Sequence, residues 1–270
     1  MAPLSFAEPA RVGSNARALV AATGVGGERE RPLAYFEALN RIQARPIRLD
    51  DLERVPRAVF AIEDPADHAL VQHFLEGEEP GPSHLYDAEA RERILAGLAA
   101  GMDMLERYDP GAAALPATLV ARIFFARKPG FGGASTADML GCIWLSPPRS
   151  WEAVDYAEAL YHECVHQALF LEEMVQGVYA KTAAEMLEED AMVVSAIRRE
   201  KRPFDASFHA ACVAAALLDL YRDLDRADRA QPLLEGLRPS LEEIAGKEGC
   251  LNANGCKILG ELERGVGVAA

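Results

Sequence analysis

The sequence predicts an α+β fold that is mainly α-helical, and three observations lead to this prediction. Apolar residues recur at helical spacing over most of the chain. Two segments rich in β-branched and aromatic residues, 117–127 and 140–147, predict strands of a small β element. A long helix, predicted over residues 153–176, follows at once and contains the sequence H-E-x-x-H. We therefore expect a helical N-terminal region over 1–112 and a second region over 113–270, together forming one compact unit.

Breaker residues divide the N-terminal region into several predicted helices. Helices are expected over residues 11–22 and 33–43 and at both ends of residues 49–77, where Pro56 and Pro65 interrupt the pattern. A stronger helix is expected over residues 87–111, because Asp87 can cap its start and the run Asp109, Pro110 and Gly111 ends it.

The C-terminal third of the chain is also predicted to be helical. The stretch "AKTAAEMLEEDAMVVSAIRREK" has helical spacing in part, and Pro203 ends that pattern. A long helix with an apolar face follows over residues 206–225, and two short helices over 237–245 and 252–263 close the chain.

Charge and cysteine content restrict the partners and the compartment. The formal net charge of −14 disfavours binding to duplex nucleic acid or to an anionic membrane, and favours a basic or neutral peptide or a small molecule. No stretch approaches about eighteen consecutive apolar residues without a charge, so no membrane span is expected. The N-terminus lacks the pattern of a secretory signal. The cysteines are odd in number and scattered, which predicts reduced thiols in a cytoplasmic protein: Cys142, Cys164, Cys212, Cys250 and Cys256.

A glycine-rich loop over residues 128–139, "KPGFGGASTADM", separates the two predicted strands. It contains neither G-x-G-x-x-G nor G-x-x-x-x-G-K-[ST], the glycine patterns that cradle phosphates. The sequence therefore favours a hairpin or lid loop over a nucleotide site.

The motif H-E-x-x-H, formed by His162, Glu163 and His166, predicts a metal site. Residues four apart lie one above the other on a helix, so both imidazoles can point at one ion. Glu163 holds the position of the glutamate that takes a proton from metal-bound water in zinc peptidases.

Two imidazoles need a third protein ligand, and the residues alone leave two alternatives. Glu185, Glu188 and Glu189 follow on the next predicted helix, at a spacing that suits zinc peptidases with a glutamate ligand, although "EMLEED" also has the character of a solvated acidic face. His209 lies on a helix that is otherwise apolar. Such a histidine is usually a core residue, but the missing third ligand makes it a candidate.

The sequence around His209 resembles the family of 2-oxoglutarate-dependent peptide β-hydroxylases that carry H-E-x-x-H. The resemblance rests on Arg198, then Arg202-Pro203 four residues later, then His209 at the head of an apolar helix. The stretch "LGCIWLSPPRSWEAVDYAEALYHECVHQALF" and the tail "LNANGCKILGEL" are also similar to that family. The similarity covers about residues 117–262. One departure is that Ala206 or Ser207 stands where the family has glycine.

The resemblance implies an oxygenase in which His162, His166 and His209 ligate Fe(II), with 2-oxoglutarate and O2 as co-substrates. It further implies that an arginine binds the distal carboxylate of 2-oxoglutarate, with Arg202 favoured over Arg198 because it lies closer to His209. The substrate would be a ribosomally made precursor peptide. The strands predicted over 117–127 and 140–147 offer an edge to such an extended peptide. In this reading Glu163 orients a ligand or a water molecule. A zinc metallopeptidase and a metal-binding protein without catalysis remain the alternatives.

Overall fold

The structure is a computed structural model that describes residues 4–25, 33–49, 56–60 and 64–267, and it is mainly helical with two small sheets. The α-helices in this part of the chain are α1 (Pro9–Thr23), α2 (Leu33–Ile42), α3 (Pro65–Phe74), α4 (Ala88–Tyr108), α5 (Pro110–Leu119), α6 (Ala153–Gln176), α7 (Ala183–Met186), α8 (Phe204–Asp223), α9 (Ala227–Ala245) and α10 (Ala253–Val266). The strands are β1 (Arg57–Val59), β2 (Arg122–Phe125), β3 (Gly133–Ala134), β4 (Cys142–Leu145), β5 (Val193–Val194) and β6 (Lys201–Arg202).

The chain divides into two compact units. The central unit comprises Gly13–Gln167, and the terminal unit comprises Met1–Val12 with Ala168–Ala270. These divisions differ from the boundary near residue 112 that the sequence predicts. Helix α6 begins in the central unit and ends in the terminal unit.

The central unit contains a four-stranded sheet with the order β1-β2-β4-β3. Strands β1, β2 and β4 are parallel, and β3 pairs antiparallel with β4. Every residue of β2 and β4 is buried, and both read as continuous apolar runs apart from Arg122, as parallel strands covered on both faces do. Trp144 packs against Phe74 and donates a 2.8 Å hydrogen bond from Nε1 to the carbonyl of Ala126.

The predicted start of the first strand in this unit is wrong. Residues 117–119 end helix α5 rather than begin a strand, and β2 starts only at Arg122. The reason is Asp109, which ends α4 but also accepts a hydrogen bond from the backbone N–H of Gly111 and so caps α5, with Pro110 in the first turn. Strand β1 was not predicted. The helix expected before Pro56 falls largely on residues 50–55, outside the described residues.

The predictions for α1, α2, α3, α4 and α6 are confirmed, and α6 has the predicted bounds of 153–176. Asp87 caps α4 by accepting a hydrogen bond from the N–H of Ala90. The glycine-rich loop contains β3 and so forms the expected hairpin with β4.

Helix α8 is the core of the terminal unit, and most of its residues are buried. Among the described residues it alone is long and apolar enough to cross a membrane by length and composition, but 83% of that window is buried inside the protein, as in the core helix of a soluble protein. Helix α9 is longer than predicted and includes Pro232 and Pro239. The stretch before α8 holds less helix than predicted: a single helical turn (α7), a 3-10 turn and the β5–β6 hairpin. All five cysteines are free, and four of them are buried.

Candidate metal centre

Helix α6, which carries the H-E-x-x-H motif, is fixed to the sheet of the central unit by Gln167. The side-chain oxygen of Gln167 accepts a 2.9 Å hydrogen bond from the N–H of Gly141, and its amide nitrogen donates to the carbonyl of Cys142 at 3.2 Å. At the N-terminal end of α6, Asp155 accepts a 2.7 Å hydrogen bond from the N–H of Glu152 and thereby stabilises the start of the helix. The motif is therefore held beside the first residues of β4.

His162 and His166 lie one turn apart on α6, with ring centroids separated by 5.1 Å and ring planes inclined at 60°. Both are half-buried, whereas the residues between them, Glu163, Cys164 and Val165, are buried. The two imidazoles therefore share a face of the helix that retains access to solvent. A half-buried pair of imidazoles fits a divalent metal such as Fe(II) or Zn²⁺.

Glu163 is almost fully buried, with 4% of its surface exposed. Burial raises the pKa of its carboxyl to about 7, and a hydrogen bond from Ser135 opposes that rise. The Ser135 hydroxyl donates to Oε2 of Glu163 at 2.7 Å, while Oε1 lies 3.9 Å from Nε2 of His162. The carboxyl group is thus positioned between the hairpin loop and the first histidine of the motif.

Sequence reasoning missed the two loop residues that shape the surroundings of Glu163. Ser135 supplies the hydrogen bond, and Gly133 supplies the space. A Cβ atom at Gly133 would lie 2.7 Å from the carbonyl oxygen of Trp144 and 3.4 Å from Oε1 of Glu163. The glycine-rich composition signals a close approach of this kind, but nothing in the spacing singles out Ser135.

His209 lies in the terminal unit, on the buried helix α8, and only 6% of its surface is exposed. Its ring centroid is 4.5 Å from that of Phe170, and its Nε2 is 3.9 Å from Oε2 of Glu173. Phe170 and Glu173 belong to the last turns of α6. They follow His166 at four and seven residues, the spacing of one helix face.

The glutamates of the alternative ligand set have different surroundings. Glu185, Glu188 and Glu189 are all exposed. Glu185 forms a capping box at the start of α7, where its Oε2 accepts hydrogen bonds from the N–H and the hydroxyl of Thr182 at 2.8 and 2.7 Å. Glu188 and Glu189 lie beyond α7, so the expectation that one helix carries all three is wrong.

The basic side chains of the run "RREKR" (residues 198–202) are of two kinds: two of them bind another helix, and two form no hydrogen bond or ion pair with the described residues. Arg199 donates to the carbonyl of Pro232, and Lys201 pairs with Glu243 at 2.9 Å, so both bind helix α9. The guanidinium groups of Arg198 and Arg202, by contrast, form no hydrogen bond or ion pair with the residues that the structure describes. Arg198 is exposed. Arg202 is half-buried, at the end of β6 and two residues before α8.

The geometry brings His162, Glu163 and His166 together. Within residues 4–25, 33–49, 56–60 and 64–267, no group of three or more His, Cys, Asp or Glu side chains is placed to hold a metal ion. His209 belongs to the other unit, and its ligation of the same ion stays a prediction. The structure therefore provides two candidate ligands that fit a metal and leaves the third unassigned.

Comparison with known proteins adds no assignment, because no family model matches the sequence and no curated protein matches it. The resemblance to the peptide β-hydroxylases therefore rests on the motifs themselves.

Proposed function

We propose that this chain is a cytoplasmic Fe(II)- and 2-oxoglutarate-dependent oxygenase that hydroxylates a side-chain β-carbon of a ribosomally made precursor peptide. The observation that carries the proposal is the contrast between the candidate third ligands. His209 is buried on an apolar helix, whereas Glu185, Glu188 and Glu189 are exposed to solvent. A buried imidazole is shielded from water, as a metal ligand of an enzyme that excludes water from its site has to be, whereas exposed carboxylates are already solvated.

In this proposal His162, His166 and His209 would hold the metal, and the protein supplies binding, orientation and exclusion of water. The iron, when bound with 2-oxoglutarate and O2, supplies the oxidation of an unactivated carbon. Glu163 is proposed as a positioning residue, since its buried carboxyl lies 3.9 Å from Nε2 of His162, where its charge acts on that ring.

Arg202 is proposed to bind the distal carboxylate of 2-oxoglutarate. A carboxylate in a partly desolvated site needs a paired cation, and the planar guanidinium group offers two parallel donors. Arg202 suits this role because it is half-buried and its guanidinium is not engaged by any other side chain in the described part of the protein. It also lies seven residues before His209, across the start of α8.

The ligand set is tested by the iron content of anaerobically purified protein. We expect that His162→Ala, His166→Ala or His209→Ala abolishes stoichiometric Fe(II) binding. Glu188→Ala is the matched control, because it removes a carboxylate of the alternative set from an exposed position. Full iron in His209→Ala together with loss of iron in Glu188→Ala would reject the proposed geometry.

A zinc metallopeptidase is the second candidate, and the position of Glu163 favours it. A buried carboxyl beside the first histidine of H-E-x-x-H is where such an enzyme needs its general base. The test is cleavage of peptide bonds by the zinc-loaded protein. Cleavage by the native chain that disappears in Glu163→Gln would establish this alternative.

A further inference from the structure

A cavity of about 600 Å³ opens in the central unit, outside the group formed by His162, Glu163 and His166. Its volume lies in the range of sites that bind small molecules or peptide side chains, roughly 300–1,000 Å³. The wall is aromatic and proline-rich, with Tyr86, Phe131, Trp151 and Pro147 among its residues. Phe131 is 42% exposed, and Trp151 lies over the backbone of Gly132. Aromatic rings at an open cavity are typical of binding sites that need an apolar anchor.

Two arginines of this cavity are available to an anionic ligand. Neither Arg93 nor Arg127 donates a side-chain hydrogen bond or forms an ion pair with any residue in the described ranges. Arg127 stacks over the ring of Tyr86 at 4.7 Å. Burial raises the pKa of Tyr86, and a hydrogen bond with Ser146 and the positive charges of Arg127 and Arg93 oppose that rise.

The other basic side chains of the wall are already paired. Lys128 forms an ion pair with Glu76 at 2.7 Å, and Arg149 lies 3.7 Å from Glu89. Once these pairs are set aside, the wall holds Arg93 and Arg127 against one carboxylate, Asp87, which caps α4. The local balance of charge is therefore positive, on a chain whose formal net charge is −14. This local reversal of sign favours a carboxylate-bearing ligand at this position.

The cavity leads into the edge of the sheet. Its rim includes Phe131 and Gly132, and β3 begins at the next residue. Strand β3 ends the sheet order, so its outer side is a sheet edge to which an extended peptide can add. From Phe131 to Ser135 an extended chain covers about 13 Å. Ser135 is the residue that donates to Glu163, so this edge connects the cavity with the H-E-x-x-H helix.

We infer that the cavity binds an acidic, aromatic-containing segment of a peptide, which then continues as a strand beside β3. Its carboxylates would pair with Arg93 and Arg127, and an aromatic side chain would pack against Phe131 and Trp151. About four residues of extended chain would separate this anchor from the position beside Glu163. The inference rests on the proposed function for the reaction at the far end, but the binding itself requires neither metal nor 2-oxoglutarate.

The test is a binding titration of the full chain in EDTA. The probe is a fluorescein-labelled heptapeptide in which glutamate alternates with phenylalanine and glycine, and its twin has lysine in place of glutamate. We expect the acidic probe to bind at least about tenfold more tightly than its twin. Arg93→Gln and Arg127→Gln should each weaken the acidic probe about tenfold, because each removes charge-assisted hydrogen bonds.

The matched controls are Arg107→Gln and Arg238→Gln, which make the same charge change at exposed positions outside the cavity. They should bind the acidic probe as the native chain does, and thermal melting should show that all four variants fold. Equal affinity for both peptides, or equal losses in the controls, would overturn the inference. The inference would also be overturned if free glutarate displaced the acidic probe at the same concentration as the unlabelled peptide does. The cavity would then be a site for small carboxylates.

Photo-crosslinking locates the bound probe independently. With benzoylphenylalanine in place of phenylalanine, we expect labelled fragments to fall within residues 127–134 or 147–151. Labelling elsewhere would contradict the inferred site.

Peptide binding without any 2-oxoglutarate turnover would remove the hydroxylase proposal and leave the cavity assignment standing. Turnover of 2-oxoglutarate without selective binding of the acidic probe would remove the cavity assignment and leave the hydroxylase proposal standing.

Discussion

At the residue scale, Glu163 and Arg202 distinguish the two candidate reactions. Peptide-bond hydrolysis needs Glu163 as a base, and 2-oxoglutarate-dependent hydroxylation needs a cation such as Arg202. Glu163 is buried, hydrogen-bonded by Ser135 and close to His162, so it can act as a base or as a positioning group. Arg202 is half-buried and, in the part of the chain that the structure describes, not engaged by another side chain. A peptidase has no obvious need for this arginine, whereas an enzyme that binds a dicarboxylate does.

Arg202→Lys should weaken 2-oxoglutarate much more than it weakens Fe(II). Lysine keeps the charge but loses the bidentate geometry. A loss of about 1.5–3 kcal/mol in charge-assisted hydrogen bonding corresponds to an increase of about ten- to a hundred-fold in the apparent dissociation constant. Titration of 2-oxoglutarate into the anaerobic Fe(II) protein measures it. Arg198→Lys is the control, and an equal effect in both variants would argue against the assignment to Arg202.

Glu163→Gln should retain measurable 2-oxoglutarate turnover. The amide can still accept a hydrogen bond from Ser135, and the proposed oxygenase requires no proton transfer at this position. A peptidase would instead lose activity by several orders of magnitude, because proton transfer and water positioning act together there. Succinate formation by the purified variant is the measurement, and its complete absence from a folded, iron-loaded variant would contradict the positioning role.

At the element scale, the hairpin of the glycine-rich loop and helix α6 form the surroundings of Glu163. The hairpin approaches closely enough that Gly133 lies between Trp144 and Glu163. Gln167, one residue after the motif, hydrogen-bonds the start of β4. The position of the motif therefore depends on the contact between the helix and the hairpin as well as on the helix itself.

Gly133→Ala should destabilise the protein by about 1–3 kcal/mol, because its Cβ would lie 2.7 Å from the carbonyl oxygen of Trp144 and from Cδ2 of Leu145. Gly132→Ala is the matched neighbour, since its Cβ would make an ordinary 3.6 Å contact with Trp151. That change should stay within about 0.5 kcal/mol. Urea denaturation of both variants provides the comparison, and equal stabilities would refute the close packing.

Local signals account for the elements that the sequence predicts well. Helix α6 has its predicted bounds because prolines precede it and its apolar periodicity is unbroken. Helix α4 begins where Asp87 predicts. Strand β1 has only three residues and its neighbours in the sheet are distant in sequence, so no local pattern reports it. Helix α5 was missed because a proline and a glycine can follow the end of one helix and can also stand in the first turn of the next, as Pro110 and Gly111 do.

At the scale of the whole molecule, the sequence predicts the mainly helical class but not the strand order or the two units. Parallel pairing of β2 with β4 depends on a connection that periodicity cannot reveal. The candidate site also combines residues that a local pattern predicts with residues that only the fold brings together. His162 and His166 are predicted by a spacing of four residues on one helix, whereas Ser135 becomes part of the site only through folding of the loop onto α6.

The net charge of −14 and the two unpaired arginines of the cavity also belong to this scale. A strongly acidic chain repels most anions at long range, so selective binding of an acidic peptide requires a local site. Raised salt should therefore weaken the specific complex, since Arg127 is exposed and ion pairs at exposed side chains are screened.

The most direct test of the central claim is to add 2-oxoglutarate to the anaerobic Fe(II) protein and record the visible absorption spectrum. Chelation of the keto acid by iron held on His162, His166 and His209 predicts a new charge-transfer band. The band should be absent from His162→Ala and retained in Glu188→Ala. If the native protein shows no band at any concentration of 2-oxoglutarate, the co-substrate and with it the proposed hydroxylase are contradicted.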